Sequence, residues 1–169
     1  YEELGELAEQ GLLDLTGFPV KYATYSDYDP KYEMSEQIRK SHKGKIAKLD
    51  HDNDLALIST EEASGVWAEV AEGNYNEGDY VATVGHPAGL LYSFSMGYIS
   101  AKPRNVKFDG LKHPTEFIQS TTPVFFGSSG GSLFNFEGKI IGVCSRMISK
   151  NPTLGLWVSK STIVKFLTN

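Results

Sequence analysis

The stretch Gly127-Ser128-Ser129-Gly130-Gly131-Ser132-Leu133 sets a serine among glycines, a pattern that can serve nucleophilic catalysis. A serine hydroxyl attacks a carbonyl only when a base takes its proton, and the oxyanion that develops needs N–H donors already in place. Glycines on both sides let the chain enter tight, partly left-handed turns and bring backbone amides close to a reacting carbonyl. In that role Ser129 is the nucleophile, and the amides of Gly127 and Ser129 form an oxyanion hole. A Gly/Ser-rich hairpin turn without chemistry fits the same residues.

The other chemistry-bearing residues are sparse. Asp54 precedes the apolar run Leu55-Ala56-Leu57-Ile58. A carboxylate at the start of a strand can accept the Nδ1–H of an imidazole and steady the imidazolium; it can also simply cap the strand. Asp50 and Asp52 read as solvated turn residues. Of the four histidines, His42 lies in a polar run and His51 stands three residues before Asp54, and both read as surface residues. His86 shapes a turn before Pro87, and His113 sits in a loop beside Pro114. Treating His51, Asp52 and Asp54 as metal ligands is a third option, but no His-x-x-x-His pair accompanies them, and neither metal nor cofactor is expected. The single cysteine, Cys144, lies in the run Ile140-Ile141-Gly142-Val143, which suits a buried thiol.

Elements able to position such groups are mostly short strands. Lys45–Leu49, Leu55–Ile58, Asp79–Gly85, Ser95–Ser100, Glu116–Ser120, Ser132–Phe136, Lys139–Cys144 and Gly155–Val158 are predicted strands, most of them separated by Gly, Pro, Asn or Asp. Leu4, Leu7, Leu12 and Leu15 suggest an amphipathic helix over 2–15, Val20–Tyr25 a strand, and 26–41 a polar insertion or long loop. Ser161 can cap a closing helix carrying Ile163, Val164, Phe166 and Leu167. The pattern is that of an all-β barrel or sandwich. The 169 residues are 40% hydrophobic and 12% aromatic, as in globular proteins. A net charge of −5 argues against general affinity for nucleic acid or anionic membrane, and no apolar run is long enough to span a bilayer.

The nucleophile segment resembles the Gly-Asn-Ser-Gly-Gly-Pro signature of HtrA/Deg proteases and the Gly-Asp-Ser-Gly-Gly-Pro of trypsin-like ones. Similar stretches flank it in family order: Asp54-Leu55-Ala56-Leu57, Gly78-Asp79-Tyr80-Val81, Val84-Gly85-His86-Pro87, Gly97-Tyr98-Ile99-Ser100, Phe117-Ile118-Gln119-Ser120, Glu137-Gly138-Lys139-Ile140 and Gly155-Leu156-Trp157-Val158. The resemblance covers roughly residues 43–168. It implies a two-barrel chymotrypsin-like fold with a C-terminal helix, residues 1–80 holding what remains of the N-terminal barrel and 81–169 the C-terminal one.

The same resemblance implies a serine endopeptidase with Ser129 as nucleophile and Asp54 as triad acid. The family order is His, Asp, Ser, and neither His42 nor His51 follows a strand of the Thr-Ala-Ala-His type. The base is therefore expected upstream of Tyr1, together with the first strands of the N-terminal barrel. A protease fold without a base, used for binding or assembly, is the alternative. Pro123, Val124 and Phe125 are expected to line one wall of the specificity pocket. Ser145, Arg146 and Met147 are expected to form another and to pair with substrate backbone. With no acid at the pocket base, an apolar side chain is expected on the acyl side of the scissile bond. Ser128 replaces the aspartate that in trypsin pairs with a new N-terminus, and Ser132 replaces a proline. Expected partners are a protein or peptide substrate and, by the same resemblance, further copies of the chain.

Overall fold

In the computed structural model, residues 19–22, 42–61, 67–109, 111–148 and 154–169 are described. The helix expected over 2–15, the polar stretch 26–41 and the last residues of the strand expected over Val20–Tyr25 lie outside them. The chain divides into two compact units, Tyr1–Gly65 and Val66–Asn169.

In the first unit, β1 (Pro19–Tyr22), β2 (His42–Asp50) and β3 (Leu55–Thr60) form a three-stranded antiparallel sheet in the order β1-β2-β3. The β2–β3 ladder slips between Ile46 and Lys48, a bulge that strengthens local twist. Ile46 and Leu55 are its buried apolar residues among those described. Asp50 closes the turn into β3, its carboxylate accepting from Asn53 N at 3.1 Å and Asn53 Nδ2 at 2.7 Å. Asp50 is thus a turn-forming residue.

The second unit is a closed antiparallel barrel in the order β4-β5-β6-β9-β8-β7. Its strands are β4 (Tyr80–Gly85), β5 (Ser93–Val106), β6 (Thr115–Ser120), β7 (Ser132–Phe134), β8 (Ile140–Met147) and β9 (Gly155–Ser159). Alternation decides which side chains point inward. On β4, Val81, Thr83 and Gly85 are buried while Tyr80 faces out against Tyr98 of β5, ring centroids 4.7 Å apart. β9 is buried along its whole length, as its apolar Leu156-Trp157-Val158 core requires. Val81, Ile99, Ile118, Leu133, Ile141, Cys144 and Trp157 fill the interior. Each fully buried large side chain contributes about 1.5–3 kcal/mol of transfer free energy. Closure removes the exposed strand edges that an open sheet would present.

Helix α1 (Lys160–Thr168) follows β9 directly and buries Ile163 and Phe166. Its N-cap is Ser159, whose hydroxyl accepts from Thr162 N at 3.4 Å, and not Ser161. The strand runs into the helix without a loop, so the cap falls on the last strand residue. Ser161 instead hydrogen-bonds the Glu116 carboxylate. Among the described residues no helix is long and apolar enough to cross a membrane.

Candidate active site

Ser129 sits on the loop joining β6 to β7, and that loop is pinned from three directions. Ser128 N donates to Phe125 O at 2.9 Å and Gly131 N to Ser128 O at 3.0 Å, giving two successive tight turns around the serine. Gly130 N donates to Cys144 O, and Cys144 N to Gly131 O, both at 2.8 Å, tying the loop to β8. The Cys144 thiol is buried in the barrel, so this residue acts on the loop only through its backbone. The Ser128 side chain is buried, and its hydroxyl oxygen accepts from Phe125 N at 3.2 Å.

Two glycines carry the conformations that the sequence pattern anticipates. Gly127 has φ of 95° and Gly130 φ of 83°, both in the region that side chains disfavour. Gly127 is also crowded: a Cβ there would lie 2.3 Å from His86 O. The third direction of support comes from this side, where Ala88 N donates to Phe126 O at 2.7 Å.

The amides of Ser128, Gly130 and Gly131 are all spent on these bonds, whereas the amides of Gly127 and Ser129 donate to nothing among the described residues. Ser129 is exposed. A solvent-facing hydroxyl therefore lies beside two backbone donors, two residues apart, that the fold itself leaves unused.

The residues expected around a specificity pocket distribute by alternation. Thr122 and Val124 are buried while Pro123 and Phe125 face solvent, as an extended segment dictates. Val124, 4% exposed, joins the barrel core, and Phe125 packs edge-to-face on Phe126 with centroids 5.8 Å apart. The β7–β8 ladder ends at Val143, so Cys144–Met147 runs beyond it. β9 continues alongside, with a bulge between Cys144 and Arg146. The Arg146 guanidinium lies 4.7 Å over the Phe108 ring, and Met147 packs against the core.

In the first unit, Asp54 ends the turn before β3 with φ of 56°. It is exposed, its N–H donates to His51 O at 3.4 Å, and the next residue, Leu55, is buried. His51 is exposed in the same turn. His86 is not a free surface residue: its Nδ1 accepts from Tyr92 N at 3.0 Å. The residue types mark His86 as a turn former but do not show that its turn bears on Gly127, because the left-handed backbones of Ala88 and Tyr92 have no signature in composition.

A closed six-stranded antiparallel barrel, a C-terminal helix, and an exposed serine on a glycine-bent loop are the features of a chymotrypsin-like peptidase domain. The family model described as a trypsin-like peptidase domain matches residues 28–143, and the chain belongs to that family. A probable periplasmic serine endoprotease DegP-like from Ectopseudomonas mendocina (strain ymp) is 32% identical over 116 residues, covering 67% of this chain and 23% of that protein. A probable periplasmic serine protease do/HhoA-like from Haemophilus influenzae is 30% identical over 122 residues, covering 70% of this chain and 26% of that protein. The chain thus spans about a quarter of the length of these curated relatives. Among solved structures, the active form of the Rv3671c protease from M. tuberculosis superposes with a TM-score of 0.69 at 18% identity, over 76% of this chain and 58% of that one. The HtrA-type protease AlgW with a tripeptide gives 0.68 at 20% identity, over 76% and 43%. At these identities the two structures speak for the fold.

Proposed function

We propose that this domain is a serine endopeptidase of the HtrA/Deg kind that cleaves protein substrates through an acyl-enzyme on Ser129. The observation that carries this is the pair of unused amides, Gly127 N–H and Ser129 N–H, beside the exposed Ser129 hydroxyl. Ser129 Oγ attacks the scissile carbonyl carbon while a histidine takes its proton, and the two amides stabilise the resulting oxyanion. The imidazolium then protonates the leaving amine, and water completes the cycle through a second tetrahedral intermediate. In this mechanism the base is a histidine outside residues 1–169, and Asp54 accepts its Nδ1–H. In this reading the unit Tyr1–Gly65 belongs to what remains of the N-terminal barrel, and the unit Val66–Asn169 holds the C-terminal one.

Substrate would lie against Pro123 and Phe125 on one side, with Val124 backing them from the core, and Ser145, Arg146 and Met147 on the other. The stretch of β8 past Cys144 offers backbone for an added strand. The wall Pro123-Val124-Phe125 carries no acid, which favours an apolar residue on the acyl side of the cut, since a buried cation would go unpaired. Assembly with further copies of the chain belongs to the same proposal.

The test is labelling of the full-length protein by a fluorophosphonate, which reacts only with an activated serine. Labelling that disappears in Ser129→Ala supports the assignment. A folded full-length protein that does not label is a binding or assembly module built on the protease fold.

A further inference from the structure

The Gly127 amide shares one planar peptide with the Phe126 carbonyl, so whatever holds that carbonyl also aims the amide. Its partner is Ala88, whose N–H donates to Phe126 O at 2.7 Å. Ala88 lies in the 3₁₀ turn Pro87–Gly89 with φ of 52°, a conformation a non-glycine residue keeps only when its surroundings over-determine it.

Three contacts do so. His86 O accepts Gly89 N–H, and Pro87 O accepts Leu90 N–H, each at 3.0 Å. The third closes the loop: Tyr92 N–H donates to His86 Nδ1 at 3.0 Å. Tyr92 is itself left-handed, with φ of 56°, and its ring stands edge-on to the imidazole with centroids 4.9 Å apart.

A ring nitrogen that accepts a hydrogen bond carries no proton, so this closure requires a neutral imidazole with its hydrogen on Nε2. Protonation would turn Nδ1 into a donor facing the Tyr92 N–H. We propose that His86 is a positioning residue: through Tyr92 and Ala88, its neutral ring holds the Phe126–Gly127 peptide so that Gly127 N–H meets the developing oxyanion. This rests on the peptidase proposal above.

The segments around the ring contain few groups that could replace the lost bond. Between Thr121 and Gly131 there is no ionisable side chain, and in the loop 86–92 the other one is Tyr92. β4 has only Tyr80, at its opposite end, and β5 has none between Ser93 and Gly97. No ion pair from these segments stands in for the acceptor. Asparagine would: its Oδ1 branches from the same carbon position as Nδ1, accepts a hydrogen bond and does not titrate.

The experiment compares full-length wild type, His86→Leu and His86→Asn in peptide hydrolysis from mildly acidic to mildly alkaline pH. His86→Leu is expected to lower kcat about tenfold or more with KM little changed, because an oxyanion donor acts in the transition state. His86→Asn is expected to restore most of kcat, because its Oδ1 accepts the Tyr92 N–H in place of Nδ1. An active wild type with an unimpaired His86→Leu overturns this role and leaves the peptidase assignment standing. A wild type that hydrolyses nothing overturns the peptidase assignment. Independently of activity, and of whether the leucine variant folds, a long-range ¹H–¹⁵N spectrum reports the His86 tautomer. Hydrogen on Nε2 is expected; hydrogen on Nδ1 at neutral pH refutes the positioning role.

Discussion

Ser128 and Phe125 hold each other by two hydrogen bonds, Ser128 N–H to Phe125 O at 2.9 Å and Phe125 N–H to the Ser128 hydroxyl oxygen at 3.2 Å. The turn that carries Gly127 is thereby closed from within by a neutral group. No charge has to arrive from a processed N-terminus to shape it. Ser128→Ala removes the acceptor and leaves the Phe125 N–H unpaired, at a cost of about 1–3 kcal/mol. A lower Tm and a slower fluorophosphonate reaction are expected together, because the loop that loosens is the one that presents the amides. A variant with wild-type labelling kinetics would show that the loop keeps its shape without this bond.

Gly127→Ala tests the loop from the other side. The added Cβ meets His86 O at 2.3 Å, and the residue must hold φ of 95°. Both effects displace the peptide whose N–H is proposed to bind the oxyanion. Loss of one such donor lowers kcat by about 10²–10³, and a fall of that order is expected. Gly138→Ala is the control. It has φ of 75° but nothing within 4 Å of its Cβ, so it carries backbone strain of about 1–3 kcal/mol and no displacement. Thermal denaturation and turnover measured on both separate strain from loss of the donor.

Much of the barrel is legible because its strands alternate and glycine punctuates them, and the limits of that signal are physical. β5 runs to Val106, well past the Ser100 suggested by alternation. Beyond Ala101 the residues turn polar and include Pro103, which has no N–H to give a ladder. The register slip between Ala101 and Arg104 accommodates it, and pairing resumes at Arg104 with Phe117. The glycine bend at Ser129 could be read from residue types alone. Its support by His86 and Ala88 could not, since those bonds run from backbone to backbone or to a ring nitrogen, with no composition that marks them. Val124 shows the same limit at the level of one side chain: adjacency to Pro123 and Phe125 in sequence does not put it on their face.

Trp157 is fully buried, and its indole Nε1–H donates to Ser120 Oγ at 2.8 Å; the same oxygen accepts Thr122 N–H at 3.3 Å. Ser120 thus anchors the start of the segment that leads to Ser129. Ser120→Ala strands two donors in the interior, at a cost of about 1–3 kcal/mol for each group left unpaired. A loss of several degrees in Tm is expected. Ser120→Thr keeps the acceptor and separates hydrogen bonding from packing. Equal Tm values for all three proteins would place the stability of this corner in apolar contacts alone.

The junction of β9 and α1 predicts how stability depends on pH at both extremes. Glu116 accepts hydrogen bonds from Ser159 Oγ, at 2.6 Å, and from Ser161 Oγ. These bonds, first Ser159 and then Ser161, with a smaller contribution from the Lys165 charge, hold its carboxyl below the ordinary 4.5 despite partial burial. A depressed folded value stabilises the fold above the unfolded value and is lost as pH falls through the folded one. Glu116→Gln should therefore differ from wild type near neutrality, by no more than about 1 kcal/mol given its solvent screening, and the difference should shrink below about pH 4.5. Tyr75 gives the opposite sign. Burial first, and the Glu116 charge second, push its phenol up to about 12, so its contribution is full below the ordinary 10.0 and is lost as pH rises from there. Tyr75→Phe should flatten the alkaline loss, and Glu116→Gln should bring the Tyr75 phenolate absorbance in at lower pH. Tm measured across the pH range, with phenolate titration of the same variants, checks both. A Glu116→Gln difference that stays constant into acid would remove the carboxylate's hydrogen bonds as its cause.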